Sequence, residues 1–227
     1  MFVKICGITS SEAVDAAVDA GADAVGFVFA ESPREVTPER ALELAAAVPR
    51  SVKRVAVLRH PPQALWQRVL EVFAPDWLQT DAEDLADPGL AAAVAARCAA
   101  LPVYRNAGDA RAPKRQHPVG DLPPRLLFEG AVSGSGRTAD WDEARALASR
   151  TELILAGGLD ADNVADAIRR VRPWGVDVSS GVERRRGEKD PRKIKEFIAR
   201  VRALDRGARP PARDESAHLR KQKEKRK

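Results

Sequence analysis

Eight short apolar runs, each followed by a segment of a different rhythm, constrain this chain more than any other feature. The runs are Phe2–Ile5, Ala24–Phe29, Ser51–Leu58, Asp76–Gln79, Leu101–Tyr104, Arg125–Glu129, Glu152–Ala156 and Gly175–Val178. Ala24 to Phe29 is apolar without a break, as in a strand buried on both faces. Most of the segments between them carry helical signals. Ala13, Val14, Ala17 and Val18 are spaced for one helix face and Gly21 follows as a stop. Thr37-Pro38-Glu39, Asp140-x-x-Glu143 and Asp190-Pro191 are helix starts. Strand and helix in alternation imply parallel strands joined by right-handed crossovers. Eight such units in about 200 residues predict a (β/α)8 barrel, the TIM barrel. An open doubly wound sheet is the competing arrangement, but the turn after the first strand has no dinucleotide fingerprint.

Two stretches fall outside the alternation. Asn106 to Pro124 holds Pro113, Pro118, Pro123 and Pro124 with mixed charges and no periodicity, so it reads as a long loop where the fifth helix should be. After Leu204 there are nine basic and four acidic residues, which account for the whole net charge of +5. The expected organisation is a single barrel domain over residues 1–204, its fifth helix degenerate, and a disordered basic tail over residues 205–227. A charge run without interleaved aromatics reads first as a solvated segment, so nucleic acid is not an expected partner. Cys6 and Cys98 match no zinc or CxxC spacing, and Cys98 reads as structural. No stretch is long and apolar enough for a membrane span, and the chain opens directly on a strand with no room for a targeting peptide. A cytoplasmic location with reduced thiols and no membrane partner is therefore expected, as a monomer or homodimer.

In a barrel of this kind, chemistry sits at the carboxyl ends of the strands. Those ends here supply Cys6, Ser32-Pro33-Arg34, Gln79-Thr80-Asp81, Glu129, Gly157-Gly158, and Asp177 with Ser179-Ser180-Gly181. The backbone amides of the last two glycine- and serine-rich loops suit a phosphate. Either loop alone reads equally well as an ordinary turn; both together, at strands seven and eight, favour phosphate. Cys6 alone reads as a small buried hydrophobe and Glu129 alone as a solvated carboxylate. At the ends of strands one and six they can face each other across the mouth, where a thiolate base and a carboxylic acid suit proton transfer.

Lys4-Ile5-Cys6-Gly7-Ile8-Thr9, Gly21 to Phe29, Ser32-Pro33-Arg34, Ser133-Gly134-Ser135-Gly136, Asp140-Trp141, Leu155 to Leu159 and Asp177 to Glu183 together resemble the phosphoribosylanthranilate isomerases of tryptophan biosynthesis. The resemblance covers Met1 to about Leu204, with the motifs in the family's order at the barrel strand ends. It implies a barrel that uses no metal and no cofactor. The implied substrate is a small phosphosugar, N-(5-phosphoribosyl)anthranilate, which an Amadori rearrangement converts to 1-(2-carboxyphenylamino)-1-deoxyribulose 5-phosphate. Carried over by motif, Cys6 matches the general base and Arg34 the contact to the anthranilate carboxylate. Gly157, Gly158, Ser179, Ser180 and Gly181 match the phosphate site, Asp177 the aspartate near the substrate hydroxyls, and Gln79 a further substrate contact.

The sequence leaves the family's pattern at two places. Glu129 stands where the family has an aspartate as general acid. Leu78-Gln79-Thr80-Asp81 stands where the family shows Gln-Leu-His-Gly, so the histidine and glycine are missing. The implied mechanism asks opposite things of one pocket: a raised pKa at Glu129 and a lowered one at Cys6. Another phosphosugar isomerase or lyase on the same barrel, such as a histidine-pathway Amadori isomerase, is the alternative; those enzymes typically use paired carboxylates where this chain has Cys6.

Overall fold

A computed structural model of the chain describes residues 1–105, 122–130 and 139–208. Most of the proline-rich segment, the loop Val132–Gly136 and the tail beyond residue 208 lie outside the described residues. The eight apolar runs become eight parallel strands, hydrogen-bonded in chain order into a closed barrel. They are β1 (Phe2–Cys6), β2 (Ala24–Val28), β3 (Lys53–Val57), β4 (Trp77–Asp81), β5 (Ala99–Arg105), β6 (Arg125–Glu129), β7 (Glu152–Leu155) and β8 (Gly175–Val178). The closing seam pairs β1 with β8, with Lys4 opposite Asp177.

Around the barrel run α1 (Ser11–Asp19), α2 (Pro38–Ala45), α3 (Gln63–Arg68), α4 (Pro88–Arg97), α5 (Trp141–Ala148), α6 (Val164–Val171) and α7 (Pro191–Ala208). Their starts are fixed locally. Ser10, Thr37, Asp87 and Asp140 each accept a hydrogen bond from a first-turn amide, the contact worth about 1 kcal/mol at a helix N-terminus. Pro38, Pro88 and Pro191 occupy first helical positions, where a missing N–H costs nothing.

Because successive strand residues point to opposite faces, each strand divides its side chains between two cores. Val3 and Ile5 of β1, with Val176 and Val178 of β8, face the helices in the larger core. Ala24, Val55, Trp77, Leu101, Val103, Leu127 and Ile154 fill the barrel interior. At the amino-terminal end of the strands, Phe2 stacks between Trp77 and Trp174, with centroids 5.2 and 4.7 Å away. The Arg125 guanidinium lies over both indoles, at 4.7 and 4.1 Å. Aromatic rings close that end. Toward the carboxyl end the same inward positions turn polar: Lys4, Cys6, Gln79, Asp81, Glu129 and Asp177 are all buried.

Three elements differ from the pattern read in the sequence. The alanine-rich helix expected over Asp84–Ala100 is a single 3-10 turn (Asp84–Ala86) followed by α4, because Asp87 caps a new start at Pro88. Its end is also earlier: Cys98 is extended, and Ala99 and Ala100 belong to β5, which runs on to Arg105. After β8, a 3-10 turn (Ser180–Val182) leads into a two-stranded hairpin, β9 (Glu183–Arg185) and β10 (Glu188–Lys189). Charged strands of this length carry no apolar alternation that a sequence pattern could report.

Candidate active site

The polar layer is built from β1 and β8 upward. Lys4 is fully buried, and its Nζ donates to Asp177 Oδ1 at 2.8 Å, across the seam that pairs the two residues. Burial works against the ammonium, but Asp177 and Cys6 outweigh it and hold Lys4 charged above the usual lysine range. Cys6, two residues on, points the same way, and its Sγ and the Lys4 Nζ both lie beside Gly26. Both side chains fit because their neighbour on β2 is Gly26. A Cβ there would come within 3.1 Å of Cys6 Sγ and of Lys4 Cε.

Burial pushes the Cys6 thiol up; Lys4 pulls it down, Asp177 pushes it up again, and the balance stays above the ordinary value. The lowered cysteine pKa implied by the family's mechanism is thus corrected for the resting protein. The thiolate has lost its water, and Asp177 already answers much of the Lys4 charge.

Arg34, at the turn after β2, is held by the hairpin that the sequence did not reveal. Its Nε and Nη2 donate to Glu183 Oε1 and Oε2 at 2.6 and 3.0 Å, a bidentate pair. Glu183 also accepts from Lys189 Nζ at 2.8 Å and from the Gly187 amide at 3.2 Å. Lys189 continues to the Ser179 carbonyl at 2.9 Å, tying the hairpin to the loop after β8. Two of the five N–H donors of Arg34, on Nε and Nη2, are therefore spent on orientation.

A second cluster caps β4, β5 and β6. Arg105 Nη2 lies 2.6 Å from Glu129 Oε1, and Arg105 Nη1 donates to Asp81 Oδ1. Burial disfavours the guanidinium charge, but Glu129 and Asp81 together hold Arg105 protonated above its usual range. Asp81 also faces His60 Nε2 at 3.3 Å and Arg59 Nε at 3.7 Å, while His60 Nδ1 sits 2.8 Å from Asp84. His60, Asp81 and Asp84 bring ligand-type atoms within 4.8 Å of one another. Each is engaged in the pairs just described.

One cavity of about 240 Å3 joins these groups. Cys6, Arg34, Gln79, Glu129 and Asp177 line it, with Gly157, Gly158, Ser179 and Ser180 on the side of β7 and β8. Gln79 presents a buried Oε1 that has no partner among the described residues. Gly157 and Gly158 have φ of 87° and 64°, and the loop is pinned by Asn163 Nδ2 donating to the Gly158 carbonyl at 2.7 Å. Gly181 is not among the lining residues. It packs behind the loop, where a Cβ would fall 2.0 Å from the Leu159 carbonyl oxygen.

The sequence reading gives no role in the site to Lys4, Arg105, Glu183 or Lys189, and it places Asp81 only among the strand-end residues. Lys4 left a usable signal: one charge inside an apolar run of a strand buried on both faces. Arg105 lay one residue beyond the strand as read. Glu183 and Lys189 left no such signal.

Comparison with known proteins follows the same lines. A family model described as N-(5'phosphoribosyl)anthranilate (PRA) isomerase matches residues 3–200. A protein of that name from Pelobacter propionicus is 42% identical over 197 residues, covering 86% of this chain and 93% of the relative. One from Streptococcus pneumoniae is 40% identical over 202 residues, covering 88% and 95%. Among solved structures, phosphoribosyl anthranilate isomerase from Thermus thermophilus superposes with a TM-score of 0.76 at 32% identity, covering 90% of this chain and all of that one. Another, crystallised with reduced 1-(o-carboxyphenylamino)-1-deoxyribulose 5-phosphate, gives 0.71 at 30% identity with the same coverage. Closed barrel and sequence agree, and the chain belongs to the N-(5'-phosphoribosyl)anthranilate isomerase family.

Proposed function

We propose that the cavity of this chain carries out the family's Amadori rearrangement of N-(5-phosphoribosyl)anthranilate, with Cys6 as general base and Glu129 as general acid. The observation that supports this best is one cavity lined at once by Cys6, Glu129 and the two glycine- and serine-rich loops. Gly157, Gly158, Ser179 and Ser180 would take the phosphate through backbone amides. Arg34 would take the anthranilate carboxylate, and Asp177 and Gln79 the sugar hydroxyls.

Glu129, protonated, gives its proton to the ribose ring oxygen as the C1–O bond breaks and a Schiff base forms. Cys6 as thiolate takes the C2 proton, giving an enolamine. Return of that proton to C1, with loss of the C2 hydroxyl proton to Glu129, leaves the ketone and restores both groups. Lys4 is the group that makes the thiolate attainable, since it offsets part of the burial that raises Cys6. The basic segment beyond Ala208 has no part in this chemistry.

The experiment is a fluorescence assay of phosphoribosylanthranilate consumption. Cys6→Ser should lose nearly all activity, because a serine hydroxyl is far too weak an acid to supply an anionic base near neutral pH. Glu129→Gln should be similarly impaired. Glu129→Asp should fall between, since retracting an acid by on the order of 1 Å costs about a hundredfold. Near-normal kcat in Glu129→Gln would show that the acid lies elsewhere.

A further inference from the structure

Three consecutive arginines, Arg184, Arg185 and Arg186, run through the hairpin after β8. The first two are spent on the hairpin itself: both pair with Glu188, and neither lines the cavity. Arg186, in the two-residue turn between β9 and β10, does line it. Among the described residues, its guanidinium takes part in no hydrogen bond or ion pair. The other lining arginines are engaged: Arg34 with Glu183, and Arg59 and Arg105 with Asp81.

An exposed arginine is ordinarily left to water. What sets Arg186 apart is how its backbone is held. The next residue, Gly187, donates its amide to Glu183 Oε2 at 3.2 Å, and its carbonyl accepts from Thr9 Oγ1 at 3.3 Å. Gly187 has a φ of 86°, and a Cβ there would fall 2.4 Å from the Pro33 carbonyl oxygen. The turn is thereby fastened to the loop after β1 and to the turn after β2, one residue from Arg34. The backbone of Arg186 is fixed beside Arg34, while its side chain is free.

The charges on that side of the mouth leave room for a further cation. Glu183 holds Arg34 in a bidentate pair and also takes Lys189, so the three keep one net positive charge. Glu31, from the same turn as Arg34, lines the cavity and opposes that charge. A ligand carboxylate arriving at Arg34 thus meets a pair already partly neutralised. A second guanidinium, planar and with five donors, fits the rest of such a carboxylate. The loops after β7 and β8 offer backbone amides instead, which suit the phosphate.

We propose, resting on phosphoribosylanthranilate as the ligand of this cavity, that Arg186 is a substrate-binding residue that takes the anthranilate carboxylate together with Arg34. Arg34 is set in place by Glu183 before the ligand arrives, and Arg186 folds onto the carboxylate when it does. The carboxylate takes no part in the bonds that change, so this contact is equal in substrate and transition state. It acts on KM rather than on kcat.

The test is steady-state turnover of phosphoribosylanthranilate by the full chain, with anthranilate and inorganic phosphate as competing inhibitors. Arg186→Gln should raise KM about fivefold and leave kcat within about twofold, the scale of a charge pair open to solvent. Its inhibition constant for anthranilate should rise by a similar factor, and that for phosphate should stay within about twofold. Arg186→Lys, which keeps the charge without the fork, should recover part of the loss. An unchanged KM in Arg186→Gln overturns the contact, and so does a fall in kcat alone. Phosphate inhibition weakened as much as anthranilate inhibition overturns the assignment to the carboxylate. A wild-type chain that does not consume phosphoribosylanthranilate overturns instead the reading of the cavity itself, so the two failures are distinguishable.

Discussion

Lys4→Met removes one charge from the buried layer and leaves the shape nearly intact. The Lys4 side chain is 0% exposed and that of Asp177 8%, with 2.8 Å between Nζ and Oδ1. Loss of the ammonium strands a buried carboxylate, and breaking a buried pair from one side costs about 3–5 kcal/mol. In a domain of this size each kcal/mol moves Tm by about 2–4 °C, so a drop of roughly 6–20 °C is expected. The same change takes away the group that draws the Cys6 thiol down. Its pKa should rise by about one unit or more, slowing alkylation by iodoacetamide at fixed pH about tenfold. The assay is best run in a Cys98→Ser background, although burial already pushes Cys98 up to about 11 and makes it slow to react. Lys4→Met/Asp177→Asn should recover most of the lost stability, because removing both partners strands no charge. It should not restore the alkylation rate to wild type. A single variant destabilised by less than about 1 kcal/mol, the range of exposed pairs, would refute this account. So would a double variant no more stable than the single one.

Two further outcomes follow from the clamp and the tail. Burial pushes Glu183 up, but hydrogen bonds from Arg34 and Lys189 outweigh it and hold its carboxyl below the usual range. A depressed carboxyl stabilises the fold above the ordinary glutamate pKa, and the benefit is lost as pH falls through the folded value. Glu183→Gln should therefore flatten the loss of Tm seen between neutral pH and about pH 3, and an unchanged slope would count against the clamp. Since α7 continues four residues past Leu204, truncation after Ala208 should leave kcat/KM and Tm unchanged; a loss of either would make the tail part of the enzyme.

What the sequence disclosed follows from which forces are local. Strand runs, caps and proline positions depend on neighbours a few residues away, so the eightfold alternation, the cap at Asp140 and the opening at Asp190-Pro191 were legible. The break inside the expected fourth helix was legible too, in Asp87-Pro88, but the alanine-rich stretch after it masked it. Cys6, Glu129 and the loop glycines could be located because barrel chemistry collects at strand ends. Their electrostatic state could not, because it is set by partners far along the chain. Arg34 meets Glu183 across 149 residues, and Glu129 shares Arg105 with Asp81 through a strand that ends one residue later than its apolar run. A raised rather than lowered Cys6 is likewise a property of closure around it, not of Lys4-Ile5-Cys6 as a string.

The seam between β1 and β8 also sets an order in time. Lys4 and Asp177 are 173 residues apart, and Phe2 pairs with Gly175. A ribosome adds about 5–20 residues per second, so Cys6 leaves the tunnel roughly ten seconds or more before the strand that fixes its partner exists. During that interval Cys6 is an ordinary cysteine on an unpaired strand. The last stave to arrive completes the wall and, in the same step, turns a thiol open to solvent into one that faces the cavity alone.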